Sequence, residues 1–192
     1  MTAAASITVS PFTLASASPR RLALLAQAGI VPARVIAPDI DERPRKSELP
    51  RAYALRLALA KAGSVAERAT EAPVLAADTV VACGRRILPK AETAEEVERC
   101  LRLLSGRRHQ VLTALALMRA GEKPRTRLVV TRVAFKVLTP TEIGDYLMSG
   151  EGIGKAGGYA IQGRAEAFVR FINGSYSNVV GLPLYETLSL LG

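Results

Sequence analysis

Four stretches of this 192-residue chain carry side chains that could do charge chemistry. The first is Ser16-Ala17-Ser18-Pro19-Arg20-Arg21. Ser18 suits a helix N-cap and Pro19 the first helical position, so Arg20 and Arg21 fall in the first turn. That turn already presents unpaired N–H groups and the positive end of the helix dipole, and two cations there are unfavourable without an anion. With hydroxyls from Ser16 and Ser18 the stretch reads as a phosphate cradle, or equally as a serine cap with solvated arginines. The second is Asp78, a carboxylate inside the apolar run 74–83. An unpaired buried carboxylate is costly, so Asp78 must lie at a strand end, on a metal or beside a cation. Metal binding or general-base duty would account for it, as would an exposed strand end. The third is the acidic loop Asp39-Ile40-Asp41-Glu42, where Glu42 is a possible second oxygen ligand. The fourth is a set of lysines: Lys61 late on an apolar helix, Lys90 after Pro89, and Lys155 within the glycine-rich run 150–158. Each could be a surface lysine. Gathered with the arginines around an acid pair, they would suit phosphoryl chemistry, where positioning and charge stabilisation dominate.

Other chemistries are poorly supplied. His109 is the only histidine, so a hydrolytic triad has one candidate base, and its place at a strand start points to a structural or supporting role. Cys83 and Cys100 form no CxxC pair and, with one histidine, make no four-ligand zinc site of the usual kind. Free thiols fit a reducing compartment, and a cytoplasmic location is expected. The net charge of +9 admits nucleic acid, a membrane surface or a small polyanionic substrate. The basic residues are spread out, with only short doublets such as Arg85-Arg86 and Arg107-Arg108. Aromatic residues are 5% and tryptophan is absent, too few for single-strand stacking platforms. No stretch approaches the ~18–20 apolar residues of a membrane span. Neither a nucleic-acid nor a membrane partner is therefore expected. Residues 1–19 carry no charged side chain and Ala15-Ser16-Ala17 resembles a signal-peptidase site, but a basic leading region is missing. Residues 1–11 read as a flexible leader and 12–192 as one domain.

The elements that must position these groups follow from periodicity and punctuation. Phe12–Ala15 is a short strand, followed by a helix from Pro19 whose apolar positions are Leu22, Leu25 and Ala26, stopped by Gly29. Arg34–Ala37 is a second strand. A helix from about Ser47–Pro50 is expected to bury Leu55, Leu59, Ala62 and Ala66. Val74–Cys83 is a buried strand and Ile87-Leu88 a short one. Thr93–Glu96 and Thr139–Glu142 are capping boxes that open helices. His109–Met118 and Leu128–Leu138 form an antiparallel pair around Gly121; Phe168–Ile172 is a strand and Leu182–Leu191 the closing helix. Strands and helices alternate early and paired strands dominate later, which predicts an α/β fold with a mixed sheet.

The pieces taken in order resemble the Maf family, the septum formation proteins that are nucleoside triphosphate pyrophosphatases. They are Leu14–Arg21, Asp41-Glu42, Leu57–Ala62, Ala77–Val81, Leu104-Ser105-Gly106-Arg107 through His109 and Val111, Lys155-Ala156-Gly157, Tyr159–Gly163 and Gly174–Pro183. The resemblance implies a two-lobed α/β fold with a central cleft, similar to the inosine triphosphate pyrophosphatases. It implies a divalent metal, magnesium or manganese, and a homodimer. The implied reaction is hydrolysis between the α and β phosphates to a nucleoside monophosphate and pyrophosphate. By resemblance Ser16, Arg20, Arg21, Lys61 and Lys90 hold phosphates, with Lys155 alongside them. Asp78 is the general base, Glu42 and Asp78 hold the metal, and Thr79 and Gln162 define the base pocket. Ser-Pro-Arg-Arg, Asp-Thr and Ile-Gln-Gly resemble the branch acting on dTTP and UTP rather than the 7-methyl-GTP branch, and a regulatory role in cell division through partner binding is the reading from another class. The chain departs from the family pattern at Pro89-Lys90-Ala91, where Gly-Lys-Pro is usual, and at Gly154, where Asp is frequent before Lys-Ala-Gly.

Overall fold

The computed structural model describes residues 9–68 and 72–192. The chain runs β1 (Thr13–Ala15), α1 (Pro19–Gln27), β2 (Arg34–Ile36), α2 (Pro50–Ala66), β3 (Val74–Cys83), β4 (Arg86–Leu88), β5 (Lys90–Ala91) and α3 (Ala94–Leu104). It continues through β6 (Arg108–Met118), β7 (Arg125–Phe135), α4 (Pro140–Ser149), β8 (Lys155–Ala156), a 3-10 turn (Arg164–Phe168), β9 (Val169–Asn173), α5 (Tyr176–Val180) and α6 (Leu184–Leu191). The main sheet has the order β2-β1-β3-β6-β7-β9, with β4 on the free edge of β3. β1 is parallel to both β2 and β3, and the remaining pairs are antiparallel. This is the mixed α/β sheet with flanking helices that the alternation predicted.

Two core layers flank the sheet. On one face α2 packs Ala54, Ala58, Ala62 and Val65 against Ala15, Val74, Ala76, Val80, Ala114 and Ala116. Small side chains on both surfaces allow a close approach of helix and strands. The opposite face holds the larger core, with Phe12, Leu14, Leu24, Leu25, Leu75, Leu115, Phe135 and Leu190 among its members.

The sheet splits where the chemistry-bearing residues lie. β1 is only three residues long and its register on β3 ends at Ala76. β4 takes up the same edge only at Val81. Residues 77–80 therefore have no strand neighbour on that side. Because strand side chains alternate, Asp78 points to the α2 face and Thr79 to the α1 face, and the gap brings both faces into one opening. The opening sits beyond the carboxyl ends of parallel strands with crossovers on opposite faces, the usual ligand position in α/β sheets.

Several local expectations shift. The buried residues of α1 are Leu24 and Leu25, with Ala26 exposed. α2 buries Ala54, Leu57, Ala58, Lys61, Ala62 and Val65, a face rotated from the one expected. The helix is apolar almost all round, so periodicity underdetermines its orientation, and Lys61 turns inward with the alanines. Ser18 sits at the N-cap of α1 without a side-chain cap bond, and Ser16 Oγ accepts the Ser18 N–H instead at 3.1 Å. Thr139–Glu142 forms the complete capping box, whereas Glu96 turns its carboxylate to the Glu92 N–H and leaves the Thr93 box half made. Phe168 belongs to the 3-10 turn before β9, and α5 lies between the last expected strand and the closing helix, where the pattern assigned no element. Residues 1–8 of the expected leader lie outside the described residues, and Val9 packs against the larger core. Among the described residues no helix is long and apolar enough to cross a membrane.

His109 is 2% exposed in β6, wedged edge-on against Phe135 and Tyr159. Burial pushes its imidazole down to about 4 from 6.5. The unfolded chain therefore binds a proton between these values that the folded chain does not, so stability rises with pH across that window. Carboxylates held at about 2, such as Glu42 and Glu48, lose their contribution only below their ordinary 4.5. Lowering the pH from 7 to 4.5 is expected to cost about 2 kcal/mol through His109 alone. Urea unfolding at the two pH values reads this loss, and His109→Gln should flatten the difference between them.

Candidate functional site

The opening in the sheet is a cleft of about 410 Å³. It is lined by Ser16, Arg20, Arg21, Glu42, Lys61, Asp78, Thr79, Lys90, Lys155 and Gln162, so the structure gathers all ten sequence-predicted site residues. Five different segments contribute: the start of α1, the acidic loop, α2, β3 with the β4–β5 arm, and the β8 to Gly163 loop. The two-residue ladder of β5 and β8 pairs Lys90 with Ala156 and ties the last two segments into one wall.

The acid pair is built around one ammonium. Lys61 Nζ lies 2.6 Å from Asp78 Oδ1 and 2.7 Å from Glu42 Oε1. Lys61 and Asp78 side chains are each 7% exposed, so neither charge could remain there alone. Glu42 Oε2 takes a second ammonium, Lys90 Nζ, at 2.8 Å. Half-burial pushes the Glu42 carboxyl up, but hydrogen bonds from Lys61 and Lys90 outweigh it and hold the group at about 2. Tyr53, one and a half turns ahead of Ala58 on α2, donates its hydroxyl to the Glu42 carbonyl at 2.6 Å and fixes that loop. Burial, with Asp78 and Glu42 nearby, pushes the Tyr53 phenol up to about 12, so it stays a donor.

Arg21 is organised from the other face. Its Nε donates to the Gly181 carbonyl at 2.9 Å, Nη1 to Ser16 Oγ at 3.2 Å and Nη2 to Thr79 Oγ1 at 3.4 Å. Thr113 Oγ1 spends its proton on the Asn178 carbonyl at 3.1 Å, so Thr79 donates to Thr113 across their 3.0 Å contact. Asn178 Nδ2 closes the network on the Val111 carbonyl and Thr131 Oγ1. Thr79 thus lines the cleft while its hydroxyl is committed to Arg21 and Thr113. Arg20 makes no ion pair among the described residues, and Lys155 Nζ donates only to the Ile153 carbonyl at 3.1 Å. Burial lowers the Lys155 pKa and the charge of Arg20 adds to the effect, so these two cations face a common space. Gln162 is exposed at the rim, its amide without a protein partner among the described residues.

Sequence reasoning gave no role to Tyr53, Thr113, Asn178 or the Gly181 carbonyl. Tyr53 acts on a loop eleven positions away and gave no signal; the others act across long sequence separations, signalled only by a polar residue inside an apolar strand and the ordered run Gly174–Pro183. His109 lies behind the cleft, as its place at a strand start suggested.

The donor set fits a hard divalent cation. Two carboxylates that share one ammonium are oxygen ligands within a cation's reach of each other. Among the described residues no group of three or more His, Cys, Asp or Glu side chains gathers as a metal site, so the protein would supply two ligands and substrate or water the rest. Magnesium is commonly bound in this way, through one or two carboxylates plus phosphate oxygens.

Three comparisons relate this chain to known proteins. The family model described as Maf-like protein matches residues 11–192. A Caulobacter vibrioides protein named dTTP/UTP pyrophosphatase is 61% identical over 178 residues, 93% of this chain and 92% of the relative. A Zymomonas mobilis protein of the same name is 58% identical over 182 residues, 95% of this chain and 90% of the relative. Among solved structures, a HAM1 protein from Coxiella burnetii matches with a TM-score of 0.49 and 21% identity, covering 65% of this chain and 72% of that one.

Removing the shared ammonium and removing one acid should differ in cost. Lys61→Met leaves the buried Asp78 carboxylate unpaired and facing Glu42, and is expected to destabilise by ~3–5 kcal/mol. Asp78→Asn leaves Lys61 paired with Glu42 and should cost only ~1–2 kcal/mol. Urea midpoints of the two variants measure the gap, and equal losses would contradict the shared-ammonium arrangement.

Proposed function

The chain belongs to the Maf-like protein family, and from that premise we propose that it hydrolyses dTTP and UTP to the nucleoside monophosphate and pyrophosphate. The observation that carries this reading is Lys61 joining Asp78 and Glu42 inside a cleft that also holds Arg20, Arg21, Lys90 and Lys155. A triphosphate tail needs that surplus of cations, and the buried Asp78 supplies a base. A nucleic-acid binder would instead need an extended basic track.

In the proposed reaction, water attacks the α phosphorus and the bond to the α–β bridging oxygen breaks. Pyrophosphate leaves with the electron pair. Asp78 Oδ2, which makes no protein hydrogen bond among the described residues, takes the proton of the attacking water. Lys61 holds the other Asp78 oxygen and so fixes the carboxylate's direction. Arg21, fixed by Gly181, Ser16 and Thr79, keeps its guanidinium in one orientation toward the tail. Arg20, Lys90 and Lys155 neutralise charge developing on the leaving pyrophosphate. Glu42 and Asp78 would hold a divalent metal, magnesium or manganese, which supplies Lewis-acid polarisation of a phosphate oxygen when bound. The exposed amide of Gln162 can both donate to and accept from a pyrimidine edge, with Thr79 forming part of the adjoining wall. A cytoplasmic setting and a homodimer belong to the same proposal. The free thiols Cys83 and Cys100 support the first, and family resemblance the second.

Purified protein offered a panel of nucleoside triphosphates with magnesium or manganese should release pyrophosphate, preferring dTTP and UTP. Orthophosphate as the product would overturn the bond assignment, and equal rates on purines the substrate assignment. Asp78→Asn should lower turnover by ~10²–10⁴-fold with the fold retained. Unchanged turnover would remove Asp78 as the base.

A further inference from the structure

The turn that carries Gln162 runs from Ala160 to Gly163, closed by the Gly163 N–H on the Ala160 carbonyl at 3.1 Å. Its entering shoulder is fastened from the core and its leaving shoulder at the surface. On the entering side, the Ala160 N–H donates to the Tyr146 hydroxyl at 3.0 Å. One residue earlier, the Tyr159 hydroxyl meets His109 Nε2 at 2.8 Å. On the leaving side, the Arg164 N–H donates to Glu151 Oε2 at 2.7 Å. A Cβ added at Gly163 would lie 2.0 Å from that same oxygen, so a side chain there would push the Glu151 carboxylate away from the Arg164 N–H.

Tyr146, Tyr159 and His109 are 1%, 6% and 2% exposed. Together with Phe135 and Phe168 they form a chain of edge-to-face rings with centroids 5.0–6.0 Å apart. Packing alone would be served as well by phenylalanine or leucine, without the desolvation of two phenols and an imidazole. The cost is visible at His109 Nδ1, which is buried with no partner. The two hydrogen bonds these polar groups make lead to adjacent residues, 159 and 160. The turn they fasten presents one long polar side chain, Gln162, to the cleft.

We propose that Tyr146 and the His109–Tyr159 pair are positioning residues that set the height and direction of the Gln162 turn, and so the affinity for the pyrimidine base. They leave the phosphate half of the cleft alone, because Arg20 and Arg21 are held by α1, Lys61 by α2 and the acidic loop, and Lys90 and Lys155 by the β5–β8 ladder ahead of the turn. The proposal rests on the reading of Gln162 as the group facing the base.

Tyr146→Phe and Tyr159→Phe each delete one hydroxyl and keep the ring. Steady-state kinetics with UTP and competitive inhibition by tripolyphosphate, which has the tail but no base, separate the two halves of the site. Gln162→Ala should raise KM for UTP about tenfold, and each phenylalanine variant about threefold, with kcat little changed. The inhibition constant of tripolyphosphate should stay constant in all three variants. Tyr146→Phe added to Gln162→Ala should bring no further loss. If Gln162→Ala behaves as expected while the phenylalanine variants leave KM unchanged, or shift tripolyphosphate by the same factor, the positioning role is overturned and the base reading stands. If Gln162→Ala leaves KM for UTP unchanged, the base reading itself fails and the proposal with it. Should Tyr146→Phe not fold, Tyr159→Phe carries the same test.

Discussion

The cleft depends on a single ammonium held between two carboxylates. Asp78 stands in a strand whose other inward residues on that face are Val74, Ala76 and Val80, and an unpaired charge there would cost more than a small domain can spare. Lys61 removes the difficulty only because α2 lies flat on the sheet, and α2 lies flat because its contact face is largely alanine. The same ammonium draws in Glu42, which in turn anchors Lys90 of the β5 arm. One small-residue helix face thus fixes the relative positions of three segments far apart in sequence.

The break in the edge of β3 decides what those segments enclose. Had β1 continued two residues further, its backbone would have covered residues 77 and 78. Had β4 begun earlier, the opening would have closed from the other side. The gap exposes a place where side chains of both sheet faces meet, so an acid pair on one face and an arginine on the other can address a single ligand. Arg21 is held by a carbonyl and two hydroxyls rather than by a carboxylate. Such partners fix its direction without cancelling its charge, which leaves it available to an anion.

Much of the fold was legible where patterning was strong. β3 and the β6–β7 pair emerged from long apolar runs, and α4 from its Thr139–Glu142 capping box. The buried face of α2 was not legible, because apolar residues surround the helix and the orienting interaction is Lys61 with Asp78, seventeen positions away. α5 was missed because a five-residue helix is too short to show a period; Asn178, bonded to β6 and β7, holds it in place. The membership of the site was legible mainly through the ordered motifs of the family resemblance, which alone supplied Thr79 and Gln162. The cost of a charge in apolar surroundings singled out Asp78, and left Lys61 open as a surface lysine. That they meet each other, and that Thr79 gives its hydroxyl to Arg21, depends on topology that spacing along the chain does not encode.

The pairing state of the cations divides the cleft into two regions with different duties. Lys61 is buried between Glu42 and Asp78, so it acts on a ligand chiefly by holding the acid pair in place, whereas half-exposed Lys90 gives Glu42 a single contact and keeps donors for a phosphate. Arg20 and Lys155 carry no carboxylate partner among the described residues and face one another's charge, with Arg21 between hydroxyls and a carbonyl. Like charges gathered this way are unstable until an anion enters, and its entry relieves their mutual repulsion as well as its own. A polyphosphate tail would therefore be drawn to the α1 and β8 side, while its reacting end meets the acid pair on the α2 side. The departure at Gly154 fits this division, since an aspartate there would have neutralised the side of the cleft that lacks carboxylates.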